Sequence, residues 1–416
     1  MSHSRICSPG GLSWFSWIKI CSSIGILTGI TSVLFLNALN YVGGLREQYM
    51  YVLFGLPLAG LLIVFLYNRY GGNAYKGNNL LFEEYYNPQG KIPLLMAPLV
   101  IVATLLTHLF GGSAGREGTA VQYGGTYADY LSKKMGLDKS QTRITLICGI
   151  AAGFASLFGT PLAGAIFSIE MFRLGKLRYK AIIPALLTAY LAHGISLLLQ
   201  APHTHYPIIE SQLFRFQDIH WVILFAVLAG AVAWIFTYTG ETLSHVFKKI
   251  GNPYWRVVIG SLAILAIIAL VGNHRYVGLG IPTILESFEQ PQPGIDFLAK
   301  ILLTCLTLSV GFKGGEVTPL FFIGATFASF LSLYIPLPLI VITGLGFVSV
   351  FSGSTKTPIA CAIMAAELFG PYIFPFALLS TLIAALASGS KGIYSSQKNS
   401  RFRRRNLFKE VRSSKP

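Results

Sequence analysis

The chain has 416 residues, 53% of them hydrophobic and only 12% charged, with a mean hydropathy of +0.61 and a net charge of +16. That composition argues against a soluble enzyme and for a polytopic helical membrane protein, with room for about ten or more spans of about 20 residues. The basic excess is read as loop Lys and Arg, because no aromatic-basic module for nucleic acid accompanies it.

In chain order, Met1 to Lys19 is a short, weakly basic segment. Ile20 to Val42 is too long for a signal peptide and predicts a first membrane helix. A second span covers Tyr51 to Tyr67. A polar stretch, Tyr75 to Gly90, carries Gly77-Asn78-Asn79-Leu80 and Glu83-Glu84. Pro93 to Phe110 is apolar and leads to Gly115-Arg116-Glu117-Gly118-Thr119. Thr142 to Phe172 is apolar but broken at Gly159-Thr160-Pro161, and Ala181 to Leu199 is a further span. A polar connection, 201–220, brings His203 and His205 without metal-ligand spacing, so both are expected to be solvated.

Spans then recur at Trp221 to Tyr238, Val257 to Val271, Phe297 to Val310, Leu320 to Leu333, Leu339 to Phe351, Ile359 to Phe369 and Pro371 to Ala387. Residues 391–416 form a basic tail with Arg401-Phe402-Arg403-Arg404-Arg405. By the positive-inside rule this tail, and with it both termini, is expected on the cytoplasmic side of a cell inner membrane. Five scattered cysteines, Cys7, Cys21, Cys148, Cys305 and Cys361, offer neither a disulfide framework nor a metal site. No cofactor is implied.

The chain repeats itself. Phe158-Gly159-Thr160-Pro161 runs on to Glu170 and Phe172, and Thr357-Pro358 runs on to Glu367 and Phe369, with 197 residues between Thr160 and Thr357. Glu117 and Glu316 stand 199 residues apart. Two homologous halves follow, 20–200 and 221–390. Short segments interrupted by Gly and Pro fit inverted halves with broken helices meeting near the bilayer midplane.

Only 16 acidic residues are present, and two of them, Glu117 and Glu316, lie in glycine-rich segments at membrane depth. Placing carboxylates there is costly. Glycine lets the backbone approach a ligand, and a helix starting at such a loop points free N–H groups at an anion. Close helix packing alone would explain the glycines but not the carboxylates. Glu170 and Glu367, at matching helix ends, are read as structural. Lys313 either draws anions into a vestibule or marks the aqueous end of a helix.

These residues resemble the CLC family of chloride channels and anion/proton antiporters, over Ile20 to about Ser395. Gly115-Arg116-Glu117-Gly118 matches the family's GREG signature, and Gly314-Gly315-Glu316-Val317-Thr318-Pro319 matches its GGxFxP signature. Gly77-Asn78-Asn79-Leu80 departs from the family's GSGIP. Thr119 replaces a proline, Glu316 an apolar residue and Val317 a phenylalanine. Met171 stands where proton-coupled chloride members carry an inner glutamate. Together these departures are similar to the fluoride-exporting branch. Gly278-Leu279-Gly280-Ile281-Pro282 mimics GSGIP but lies in the second half and is not taken as the primary site.

The resemblance implies an all-α fold of two inverted repeats with about 16–18 helical segments. It further implies a fluoride/proton antiporter, exporting fluoride across the inner membrane, that forms a homodimer in the lipid bilayer, with a chloride/proton antiporter or a passive chloride channel as the alternative within the family. Glu117 is then the gating and proton-coupling glutamate. Glu316 is a second proton carrier or orients Glu117, unless a hydrogen bond to Thr318 or to backbone makes it structural. Asn78, Gly115, Arg116, Gly118, Val317, Thr318 and Tyr394 are expected around the anion. Fluoride is costly to dehydrate and needs strong donors. Asn78 offers two amide N–H donors, or caps the helix that follows. The small-residue stretches Ala163 to Phe172 and Ile359 to Phe369 are candidate dimer faces. A membrane-embedded enzyme using Glu117 and Glu316 as an acid/base pair is the rival from another class, but no nucleophile or metal cluster supports it.

Overall fold

The computed structural model describes residues 11–172, 178–210 and 216–397. Cys7, the Arg401 to Arg405 cluster and part of the middle connection lie outside them. Sixteen α-helices make up the described residues, joined by short 3-10 turns and without a named strand. The first eight are α1 (Trp14–Gln48), α2 (Leu56–Tyr70), α3 (Asn78–Tyr86), α4 (Met96–Leu109), α5 (Glu117–Lys134), α6 (Lys139–Phe158), α7 (Pro161–Glu170) and α8 (Ile182–Leu198). The second eight are α9 (Ile219–Lys248), α10 (Pro253–Val271), α11 (Ile281–Glu286), α12 (Ile295–Val310), α13 (Val317–Leu331), α14 (Leu339–Thr355), α15 (Pro358–Phe369) and α16 (Phe374–Ala387). Among the described residues, six helices are long and apolar enough to cross a membrane.

Local chemistry sets the boundaries. Asp138 caps α6 by accepting from Ser140 N and Gln141 N, and Gln141 returns the bond in a capping box. Gly159, at φ +84°, ends α6, and Pro161 restarts the chain as α7. The break at Gly159-Thr160-Pro161 therefore separates two helices, as the sequence implies.

Three helices, α3, α5 and the six-residue α11, were not legible as spans. α5 carries Thr119, Gln122, Thr126, Asp129 and Ser132, all buried. Its packing on α6 relies on bare backbone. A Cβ on Gly124 would stand 2.1 Å from Gly149 O, and one on Gly153 would stand 2.2 Å from Ala120 O. The second half repeats the device, where a Cβ on Gly324 would stand 2.1 Å from Gly346 O. Close backbone approach of this kind holds helices together by van der Waals contact where lipid supplies no hydrophobic drive. α3 is a second surprise. It is a short helix inside the stretch that reads as polar.

The halves meet head to head. Gly115 N donates to Gly315 O at 2.6 Å and Gly315 N to Gly115 O at 2.8 Å, an antiparallel pair. From that point α5 and α13 diverge to opposite ends of the molecule. A second exchange ties the short helices. Glu170, at the end of α7, accepts from Ile359 N and Ala360 N at the start of α15. Glu367, in α15, accepts from Leu162 N and Ala163 N at the start of α7. Each carboxylate satisfies orphan donors at the N-terminus of the other helix. At 10 and 12 residues, α7 and α15 rise only about 15–18 Å, roughly half the hydrocarbon core.

The small residues of these stretches face inward. Ala163, Gly164, Ala165, Ala360, Ala362 and Ala365 are buried within the chain. The small residues of Ala163 to Phe172 and Ile359 to Phe369 serve packing within the subunit. What α7 and α15 leave less buried is larger and mostly apolar, namely Leu162, Ile166, Ile363 and Leu368.

Candidate anion and proton site

Three helix N-termini converge near the Gly115–Gly315 pair. Arg116 is the N-cap of α5 and Glu117 its first residue, while Glu316 is the N-cap of α13 and Val317 its first residue. The pairing of Gly115 with Gly315 sets a register of 200 residues. Glu316 is thus the counterpart of Arg116, and Val317 that of Glu117. The 199-residue match between the two glutamates is corrected by one position, and a one-residue step at a helix start turns the side chain by about 100°.

The consequences are large. The Glu117 side chain is fully buried. Its Oε2 accepts from Thr318 N at 3.1 Å and Arg116 N at 3.2 Å. Thr318 Oγ1 lies 2.8 Å from Oε1 and 2.6 Å from Oε2. Arg116 Nε stands 3.7 Å from Oε1. A carboxylate held by the N–H groups of two helix starts and a hydroxyl occupies the place a small anion would take. Thr318 therefore donates to Glu117 and not to Glu316.

Glycine makes this approach feasible. A Cβ on Gly118 would stand 2.9 Å from Gly315 Cα, and one on Gly115 would stand 2.9 Å from Pro319 Cδ. Asn78 opens α3 behind Gly77, which has φ +56°, and it caps nothing through its side chain. Its Nδ2 would be 3.4 Å from a Cβ on Gly118, and its Oδ1 is buried without a partner. The amide thus points toward the centre. Gln122 lies across from Gly77, and Thr119 Oγ1 shares a hydrogen bond of 2.7 Å with Thr104 Oγ1. Neither Gln122 nor Thr104 was legible as part of a site. Gln122 sits one helical turn past the Gly115 motif, and Thr104, on α4, meets Thr119 only through the tertiary fold.

Glu316 looks the other way. It is partly exposed on the wall of a cavity of about 710 Å³ that also meets Tyr75, Asn79, Glu241, Lys391 and Tyr394. No residue but itself holds its carboxylate among the described residues. At the mouth, Lys391 Nζ bonds both oxygens of Glu241 at 2.9 Å. Tyr394 is 6% exposed and close enough to feel the charge of both Glu117 and Glu316. Its ring lies 5.2 Å from that of Phe82 in α3. Asn79 Oδ1 accepts from Ser395 Oγ and Ser396 N, both at 3.2 Å, and this fastens the tyrosine segment over the α3 start. Lys313 stands beside the same region, its Nζ 3.4 Å from Tyr75 O and 4.5 Å from the Tyr67 ring centre.

Met171, at the position of the inner glutamate, is fully buried. Its carbonyl accepts from Gln397 Nε2 at 2.7 Å, and the neighbouring Phe172 ring stacks on Tyr85 at 3.7 Å. Apolar packing fills that place. His203 is not a free loop residue. Its Nε2 lies 2.9 Å from Ser156 O and its ring 6.0 Å from that of His193. His205 is exposed.

The Voltage gated chloride channel family matches residues 59–389. The chain is 39% identical over 389 residues to a "Chloride/fluoride channel protein" of Pseudomonas syringae pv. tomato (strain ATCC BAA-871 / DC3000), covering 92% of this chain and 86% of that one. A crystal structure of a CLC-type fluoride/proton antiporter superposes with a TM-score of 0.90 at 35% identity, covering 94% of this chain and 100% of that one. A slow cyanobacterial Cl−/H+ antiporter superposes with a TM-score of 0.76 at 19% identity, covering 95% of this chain and 99% of that one, which speaks for the fold alone.

Proposed function

The chain belongs to the voltage gated chloride channel family and is a multi-pass membrane protein, and we propose that it is a fluoride/proton antiporter that exports fluoride, driven by the proton gradient. The observation that carries this reading is the Glu117 carboxylate lodged between the N-termini of α5 and α13. A group that sits where the anion sits must leave for the anion to enter. Protonation removes the charge that holds it there, so anion entry and proton binding are linked. The donors left behind are Thr318 N and Oγ1, the Asn78 amide and the backbone of Arg116. Together they form a small, donor-rich cage suited to an anion that is expensive to dehydrate. The similar structure of a CLC-type fluoride/proton antiporter supports fluoride as the anion.

Glu316 takes the second proton role. Its position on the cavity wall, unheld by other side chains, suits exchange with the aqueous side. Tyr394, on the cavity wall with Glu316, contributes its hydroxyl to the passing anion. On this reading the cavity, lined by Lys248 and Lys391, and both termini lie on the cytoplasmic side of an inner membrane. Exposed Leu270, Phe54 and Leu58 suit a lipid boundary. Two copies pair through the apolar strip of Leu162, Ile166 and Ile363. Each copy keeps its own pathway.

Flux from liposomes containing the purified protein tests this. Fluoride efflux should drive proton uptake, with chloride far slower. Anion flux without proton movement, or faster chloride than fluoride flux, would overturn the reading in favour of a channel or a chloride exchanger.

A further inference from the structure

The end of the molecule opposite the cavity holds a second cluster of charge that the Glu117 centre does not use. Lys300, in α12, is fully buried. Its Nζ donates to Tyr276 O at 3.0 Å and Gly278 O at 2.8 Å, and it lies 5.0 Å from the Phe322 ring centre. Arg46, near the end of α1, is 8% exposed and donates from Nη1 to His108 O at 3.0 Å. Its guanidinium presses on Gly278, where a Cβ would stand 2.2 Å from Nη1. His108, in the last turn of α4, is 2% exposed. One ring nitrogen is turned to the Gly115 backbone, and Nε2 is buried without a partner.

The balance of charge here is unusual. The charged side chains that act on His108 are Arg46, Lys300 and Arg116. Arg116 is balanced by Glu117, 3.7 Å away, and Asp296, one helical turn before Lys300, is paired with Arg275. The carboxylate beside Arg46 is Glu47, 3.6 Å from Nη2 and 70% exposed, so solvent screens it. A buried cation held only by neutral carbonyls and a ring face is a costly arrangement. An anion between these groups would neutralise it and give the idle imidazole nitrogen a partner once that nitrogen is protonated.

The inverted repeat gives the cluster its place. In the register set by Gly115 and Gly315, Leu308 on the cavity wall corresponds to His108, and Glu316 to Arg116. The inner vestibule carries a carboxylate where the outer end carries cations. The loop at Gly278 to Ile281, set aside as the primary site, is the scaffold on which both Lys300 and Arg46 rest.

We propose that Lys300, Arg46 and His108 form an outer anion station where a small hard anion pauses between the Glu117 centre and the outer solution. In naming the anion fluoride and this end the outer one, it rests on the reading above. The station lowers the cost of leaving the centre by replacing water step by step.

The test uses right-side-out and everted membrane vesicles containing the full-length protein, with fluoride presented at one face at a time. Lys300→Met should raise the apparent KM for fluoride at the outer face about tenfold or more, since a charge-assisted donor is lost. KM at the inner face should stay within about twofold, and Lys300→Arg should restore the outer value. His108→Asn keeps a polar group near the Nδ1 position turned to Gly115 and removes the unpartnered Nε2, so it tests the idea even if Lys300→Met fails to fold, and it should raise the outer KM about threefold. An equal change at both faces would make the cluster a structural staple and overturn the proposal, as would unchanged KM in His108→Asn with Lys300→Arg inactive. Absence of fluoride-coupled proton flux in the wild-type protein would instead sink the antiport reading, which keeps the two failures apart.

Discussion

The starts of α5 and α13 are built to one plan and finished differently. Both follow a glycine, both pair through that glycine's backbone, and both open a helix on which glycines pack against the next helix. At the first helical position one carries Glu117, folded onto the partner helix, and the other carries Val317, buried and inert. At the cap position one carries Arg116, held inside, and the other Glu316, turned to the vestibule. The two glutamates are therefore not equivalent copies. A one-residue difference in register turns one carboxylate onto Thr318 and the other to the vestibule.

The largest break in that comparison is Glu117→Gln. Glutamine keeps the shape but cannot titrate, so proton movement driven by a fluoride gradient should vanish in liposomes. Pumping at the wild-type ratio would remove Glu117 from the gating role. Glu316→Gln comes next. With no side-chain partner to lose among the described residues, it should leave the size-exclusion profile unchanged while coupled flux falls about tenfold or more. Wild-type coupled flux with an unchanged profile would leave Glu117 as the only proton-handling residue.

Smaller effects sharpen the picture. Thr318→Val deletes a hydroxyl bonded to Glu117 and available to the anion. Removing a hydrogen bond to a charged group costs about 1.5–3 kcal/mol, roughly a ten- to hundredfold loss of fluoride affinity. Isothermal titration in detergent would measure it. Asn78→Ser should shift paired-flux selectivity from fluoride toward chloride several-fold, and unchanged selectivity would mean that the amide faces the centre without touching the anion. Glu170→Ala should cost about 1–2 kcal/mol of stability by stripping the cap from α15. The measurement is thermal unfolding in detergent, and fluoride selectivity should stay as in the wild type.

Much of this was legible along the chain. Hydropathy located the long spans, cutting α1 short by six residues at each end and α9 by ten at its C-terminus, where polar residues extend the helix beyond the apolar run, and Gly159-Thr160-Pro161 marked a helix break through elementary backbone chemistry. α5 was missed because its buried face is polar and glycine-rich, so a hydropathy window sees nothing. α3 was missed because a short helix leaves no period to count. The cross-capping of Glu170 and Glu367 joins residues about 200 positions apart, and only the matching ends of two repeats hinted that both were structural.

By itself the sequence determined a helical membrane protein of two related halves, and it singled out the motifs at Gly115 and Gly314 as the place of the chemistry. Those properties depend on local composition and short-range backbone rules, which each segment carries wherever it goes. The tertiary structure alone decided that Glu117 meets Thr318, that Glu316 faces the vestibule, and that Lys300, Arg46 and His108 gather at the far end. Each of these depends on the register in which two inverted halves dock. That register is set by a pair of hydrogen bonds between Gly115 and Gly315 and by bare backbones packing at van der Waals distance, which no single segment encodes.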